Sequence, residues 1–177
     1  MLDCYKYTDK EKQEIINSMV VLVDTREKNN QTLLDIWNKK GLKYKKKKLD
    51  YGDYSVMIPK NDKLNIPRDI YFDQKIVVER KGSLSEISGN LTNGRDRLEK
   101  ELALSPVHKV MLIENGSFED IANGNYDTQY NKKSFLASLF TFQFRYDMPI
   151  VYVSEQKYTA LYIRMYFEYY LKTLILR

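Results

Sequence analysis

One cysteine, one histidine and one tryptophan occur in 177 residues. The lone thiol, Cys4, has no partner for an internal disulfide, and without a second cysteine there is no CxxC pair to hold zinc. A reducing intracellular compartment, cytoplasm or nucleus, fits that usage. Residues 1–19, MLDCYKYTDKEKQEIINSM, lack the basic start and apolar stretch of a secretory signal. Long apolar runs are also missing: the most apolar stretch, YTALYIRMYFEYYLKTLIL, is interrupted by Arg164, Glu168 and Lys172, so no membrane span is expected. There is no GxxxxGK loop ending in Ser or Thr, which excludes a P-loop ATPase and leaves no nucleotide cofactor to expect. Negative charge is the scarcer sign, with 24 Asp and Glu against 29 Lys and Arg, and the net charge of +5 favours polyanionic partners.

What is present reads as one domain in which strands alternate with helices. A chain of this length with 43% hydrophobic residues buries one substantial core. Residues 1–19 read as an N-terminal extension, helical in character, and 20–177 as the domain proper. VVLVD (20–24), KIVVERK (75–81), HKVMLIE (108–114) and PIVYVS (149–154) read as strands. QTLLDIWNKKG (31–41), LSEISGNL and DRLEKELAL, KSFLASLFTFQF and EQKYTALYIRMYFEYYLKTL read as helices, with Asn93 and Gly94 breaking the second from the third. LKYKKKKLD running through Gly52 into YSVMI resembles two strands meeting at a tight turn, and PKNDKLNIPRD (59–69), with two prolines, reads as a surface loop. The expectation is an α/β fold: a central mixed sheet flanked by helices.

Three segments bring acids to the ends of apolar runs: VDTRE with Asp24 and Glu27, LDYGDYS with Asp53 after the turn glycine, and KIVVERK with Glu79. Side chains alternate faces along a strand, so Glu79 and Lys81 point the same way while Arg80 points the other. A lone Glu and Lys at a strand end is commonly a solvated pair worth less than ~1 kcal/mol. Several such acids near one point instead suit a hard divalent cation, which takes oxygen ligands and keeps water for chemistry on a phosphodiester. From these residues alone, a plain surface charge cluster and a metal site stand about even.

The longer series is more specific. VDTRE, GDY, VVERK, a helix and NGR resemble the nuclease domain of the XPF family of structure-specific endonucleases, over about residues 20–172. The resemblance implies a restriction-endonuclease-like nuclease fold and a metal-dependent DNA endonuclease acting with Mg2+ or Mn2+ on branched, flap or single-strand/duplex junction DNA, in DNA repair and recombination. It implies Asp53 and Glu79 as metal ligands with the backbone carbonyl of Arg80, and Asp24 as a further acid beside the metal. Lys81 would position the attacking water. Arg80 belongs to the catalytic motif but faces away, as a brace, and Arg26 and Glu27 are supporting residues. Arg95, the arginine of NGR, would hold a backbone phosphate. Glu86 departs from the family spacing and reads as charge at a helix start, capped by Ser83 or Ser85. The family also pairs active chains with inactive partners, so a non-catalytic DNA-binding or scaffold subunit is the alternative, and sequence-specific cutting is a third reading. The helicase and helix-hairpin-helix domains of cellular relatives have no room here, as in a reduced viral or bacterial version.

The remaining features have two readings each. Lys45 to Lys48, with Lys45 and Lys47 on one face, would track a nucleic-acid backbone or guard an edge strand against aggregation, the edge reading being favoured. The 15 tyrosines suit core and interface packing better than base stacking. In the last helix Arg164, Glu168 and Lys172 form one polar stripe, and the wide apolar remainder suggests self-association through the C-terminal helices. The family's dimerisation through nuclease domains agrees with a homodimer; the alternative is a helix sandwiched between the sheet and the preceding helix. His108, before an apolar strand, reads as structural.

Overall fold

Apolar residues with period two build the centre of the fold, and amphipathic helices cover it on both sides. The computed structural model describes residue 2, residues 5–106 and residues 108–175. Cys4, on which the thiol argument turns, lies outside the described residues, as do the last two residues of the domain proper.

Seven described strands form one mixed sheet: β1 (Val20–Val23), β2 (Lys43–Lys46), β3 (Tyr54–Ile58), β4 (Ile70–Tyr71), β5 (Ile76–Lys81), β6 (His108–Glu114) and β7 (Ile150–Val153). Their order is β2-β1-β3-β5-β6-β7, with the short β4 pairing β3. β1 pairs β2 in parallel and β3 antiparallel, and β3 is antiparallel to β5; β5, β6 and β7 run parallel. The two strands expected to meet at a tight turn, LKYKKKKLD and YSVMI, are therefore not partners. β2 and β3 never pair, because the more apolar β1, buried over Val21 to Val23, inserts between them. The lysine-rich β2 is left at the edge, where charge discourages a further strand.

Seven helices are described. α1 (Asp9–Asn17), α2 (Gln31–Lys39) and α7 (Gln156–Ile175) cover one face, packing Ile15, Leu33, Trp37, Ile163 and Phe167 against Val21, Val56, Val78 and Leu112. α3 (Leu84–Asn93), α4 (Arg95–Leu104), α5 (Phe118–Asn123) and α6 (Lys132–Tyr146) cover the other, through Ile87, Leu98, Ile121 and Phe142 against Met111 and Ile113. α6 and α7 thus lie on opposite faces, which removes the sandwiched-helix alternative for α7. Helix α5 has no counterpart in the sequence reading. Its start is nonetheless legible, since Ser117 accepts from the Asp120 amide at 3.0 Å and two acids stand in the first turn. The loop at 59–69 is anchored rather than loose: a 3-10 turn at Asp62–Leu64 and a bridge between Asn61 and Ile66 bury Leu64 and Ile66.

Gly52 is the backbone position on which the centre of the sheet depends. Its φ is +66°, and a Cβ there would meet the Val77 Cβ at 2.8 Å and the Val78 carbonyl at 3.1 Å. Left-handed backbone costs an L residue about 1–2 kcal/mol, and the collision adds an overpacking cost of similar size. Gly52→Ala is expected to destabilise the protein by about 2–4 kcal/mol, measured by thermal or urea unfolding. A loss below about 1 kcal/mol would show that the chain can re-route around β5.

Candidate active site

Strand parity places the acids. On β1 the residues Val21 and Val23 face the α7 side, so Asp24 follows Leu22 onto the other side; Asp53 shares that side with Ser55 and Met57, and Glu79 with Val77. Backbone bonds hold these ends level: Asp24 N donates to Asp53 O at 2.8 Å, and Asp53 N donates to Val78 O at 2.9 Å. A cleft of about 320 Å³ opens here between the sheet and helices α3 and α4, lined by Asp53, Glu79 and Lys81 at its floor.

Asp53 and Glu79 act on each other. Burial, then the Glu79 carboxylate and then Glu27 push the Asp53 carboxyl well above the ordinary carboxylate range, against the pull of the Arg80 amide and the Lys81 ammonium. The Arg80 amide donates to Asp53 Oδ2 at 2.7 Å. Lys81 Nζ lies 2.8 Å from Glu79 Oε1 and 3.9 Å from Glu86 Oε1. Burial alone would make this ammonium easier to deprotonate, but Glu79 and Asp53 outweigh it, so Lys81 holds its proton more firmly than a free lysine. Glu86 accepts from the Gly82 amide at 2.8 Å while Ser83 accepts from the Glu86 amide at 3.1 Å, a reciprocal cap that accounts for this acid at the start of α3.

Asp24 does not join the pair. Its Oδ1 accepts from Arg26 N at 2.6 Å and Nε at 3.0 Å, and its Oδ2 from Arg26 Nη2 at 2.8 Å and the Leu49 amide at 2.9 Å. Burial works to raise its pKa, yet these four donors keep the carboxyl below the usual range. Both oxygens accept from protein donors, so Asp24 clamps the β1–α2 loop, and as an acid beside a metal it would act through water. Among the described residues no three His, Cys, Asp or Glu side chains gather as a metal-binding group, and the acid floor consists of Asp53 and Glu79.

Arg80 is likewise a brace. It is 7% exposed, donates through Nε and Nη2 to Glu114 at 2.9 and 2.6 Å, and through Nη1 to Glu27 at 2.8 Å. All three nitrogens of the guanidinium thus hold carboxylates, and the side chain is directed at Glu114 and Glu27. Glu114, fully buried at the end of β6, is a residue the sequence reading missed. Its place as the acid closing an apolar strand, HKVMLIE, was the available signal. Glu27 is supported by Arg80 and by the Tyr54 hydroxyl, which donates at 3.1 Å; burial nonetheless pushes its carboxyl up.

The predicted nucleic-acid contacts fall elsewhere. Arg95 Nε holds Glu99 at 2.7 Å and its Nη1 donates to Ser138 at 3.0 Å, fixing α4 to α6. Two residues on, Arg97 projects from another side of the helix, lines the cleft and keeps 81% of its side chain exposed. Lys47 is tied to Asp73 and lies over the Tyr71 ring, and Lys45 stands on the edge strand; neither lines the cleft. His108 is exposed and packs its ring against Tyr170 at 5.2 Å.

A family model described as the ERCC4 domain matches residues 23–166. No curated protein matches the chain. Among solved structures, XPF from Aeropyrum pernix is similar with a TM-score of 0.63 at 22% identity, over 88% of this chain and 66% of that one. XPF from Aeropyrum pernix in complex with DNA is similar with a TM-score of 0.62 at 23% identity, over 87% of this chain and 66% of that one. The chain therefore spans just under two thirds of these relatives' length. The shared fold is the mixed sheet with helices on both faces that restriction-endonuclease-like nucleases have.

Proposed function

The chain belongs to the ERCC4 domain family, and from that premise we propose that it is a DNA endonuclease that hydrolyses phosphodiester bonds in the cleft between the sheet and α4, with a divalent metal, at branched, flap or single-strand/duplex junction DNA. The observation that carries the reading is the Asp53–Glu79 pair, two carboxylates crowded at a cleft floor with a charged lysine alongside.

The donor set fits a hard cation. Asp53 is held in an acid-rich, half-buried place where its charge is unfavourable without a nearby positive partner. Five carboxylates line the cleft against three cations, so a polyanion entering it meets a surplus of negative charge. Mg2+ or Mn2+ is held well by one or two carboxylates, water and substrate phosphate. Asp53, Glu79 and the Arg80 carbonyl are the residues that would hold it. When bound, such an ion stabilises negative charge on the phosphoryl oxygens and lowers the pKa of a water.

The chain's own groups do the rest. Lys81 keeps its proton at neutral pH, so it orients a water or offsets phosphate charge and does not serve as a base. Arg80 and Glu114 lock β5 against β6, which fixes the Arg80 amide that holds Asp53. The test is incubation of the purified protein with labelled flap, fork, junction and single-stranded DNA, with and without Mg2+ or Mn2+. Metal-dependent cutting is expected; binding without cutting on every substrate would move the chain to the scaffold reading.

The reading includes a homodimer. No described helix is long and apolar enough to cross a membrane, yet Phe144 on α6 is 85% exposed, one turn from the half-exposed Phe140. Phe144→Glu is expected to shift the protein to a monomer in sedimentation velocity while its circular dichroism stays that of the folded parent. An unaltered sedimentation coefficient would remove α6 from the interface.

A further inference from the structure

We propose, resting on the nucleic-acid reading above, that Arg97 is the side chain that takes a backbone phosphate at the mouth of the cleft, and that Glu101 holds its guanidinium until that phosphate arrives. Three cations line the cleft, and two are committed. Lys81 is buried against Glu79. Arg26 is pinned by Nε and Nη2 on Asp24 and on the Leu49 carbonyl. Arg97 is tied only at its Nε, 3.2 Å from Glu101 one turn along α4, with 81% of its side chain and 47% of that of Glu101 in solvent. An exposed pair one helical turn apart is weak and screened by salt. A phosphate accepts two parallel bonds from a guanidinium and outcompetes a single exposed carboxylate contact.

The platform under this pair is rigid. Glu99, on the far side of α4, accepts from Arg95, Arg145 and the Tyr146 hydroxyl at 2.7, 3.0 and 2.9 Å. Arg95 also reaches Ser138 and lies over the Phe142 ring. The helix is therefore anchored through one face and presents Arg97 and Glu101 to the cleft with the other. Arg26 stands on the opposite wall, where Asp24 chiefly and then Glu101 and Asp53 favour its charge. Glu101 thus shares the cleft with two guanidinium groups and is paired with that of Arg97.

The experiment is fluorescence anisotropy of a fluorescein-labelled single-strand/duplex junction DNA, in EDTA so that nothing is cut, across a salt titration. R97Q is expected to bind several-fold more weakly, with the slope of log K against log salt reduced by about one. R97K should keep the slope. E101Q should bind more tightly than the parent at each salt concentration. The double variant R97Q/E101Q should match R97Q, because Glu101 acts through Arg97; if it is tighter than R97Q by the whole E101Q gain, Glu101 merely repels DNA and the proposal is overturned. Both side chains are exposed, so the variants should melt with the parent. If the parent binds and R97Q shares its affinity and slope, this inference alone falls. If the parent binds no DNA either in EDTA or with Ca2+ in its place, the nucleic-acid reading falls and takes this inference with it.

Discussion

Asp53→Asn is expected to abolish metal-dependent cleavage and, in the same molecule, to raise the melting temperature of the metal-free protein. The first effect follows from removing one of two floor carboxylates. Loss of a single preorganised electrostatic group in an active site costs about 10²–10³-fold, and a lost ligand should reach at least the upper end. The second effect follows from the environment of this acid. Burial and the Glu79 charge raise its folded pKa well above that of an unfolded Asp, so the folded state binds the proton more tightly. The stability this confers is fully present below the unfolded value, near ~3.9, and is lost as pH rises through the folded value. At neutral pH the parent therefore has lost stability that it holds at low pH, a cost the non-titrating Asn does not carry, while the Asn carbonyl can still accept from the Arg80 amide. The melting difference between variant and parent should be positive at neutral pH and shrink towards pH ~4. Scanning calorimetry over that range, in EDTA, checks it. A variant that melts below the parent at neutral pH would mean that Asp53 already has a compensating cation within the protein.

Glu114→Ala is expected to be the most destabilising single truncation around the site, by about 3–5 kcal/mol. Glu114 is fully buried and receives two bonds from Arg80, itself nearly inaccessible. Removing the acid strands a guanidinium that cannot lose its proton, with only Glu27 left to balance it. Urea unfolding should show a lower midpoint with little change in slope. Activity should fall too, because Arg80's amide positions Asp53. Glu114→Gln, which keeps a carbonyl acceptor, should lose less stability than Ala. A loss below about 1 kcal/mol for Ala would show that water enters and solvates Arg80.

Most of the candidate site was legible because it is local. The alternation in VVERK sends Glu79 and Lys81 to one face and Arg80 to the other, and the structure has Lys81 on Glu79 and Arg80 on Glu114. A serine cap on α3, Ser83 or Ser85, and Glu86 as charge at the helix start were readable for the same reason, and the structure uses Ser83. What could not be read was set largely by distant contacts. Whether Lys43–Lys46 pairs with Tyr54–Ile58 depends on β1, far back in the chain, competing for the same edges. Three of the four bonds to Asp24 come from nearby Arg26, and only the Leu49 amide, 25 residues away, is distant. Arg95 looked free until α6 folded over it and supplied Ser138 and Phe142.

By itself the sequence determined most of the strands and helices, α5 and the short β4 excepted, which residues share a strand face, and which family the motifs resemble, since all of these follow from spacing along the chain. The tertiary structure alone decided the strand order, the choice of Glu114 as the partner of Arg80, and which arginine of α4 lines the cleft. The physical reason is that a charged side chain goes to the partner that best offsets its burial, and that partner is set by packing between segments distant in the chain.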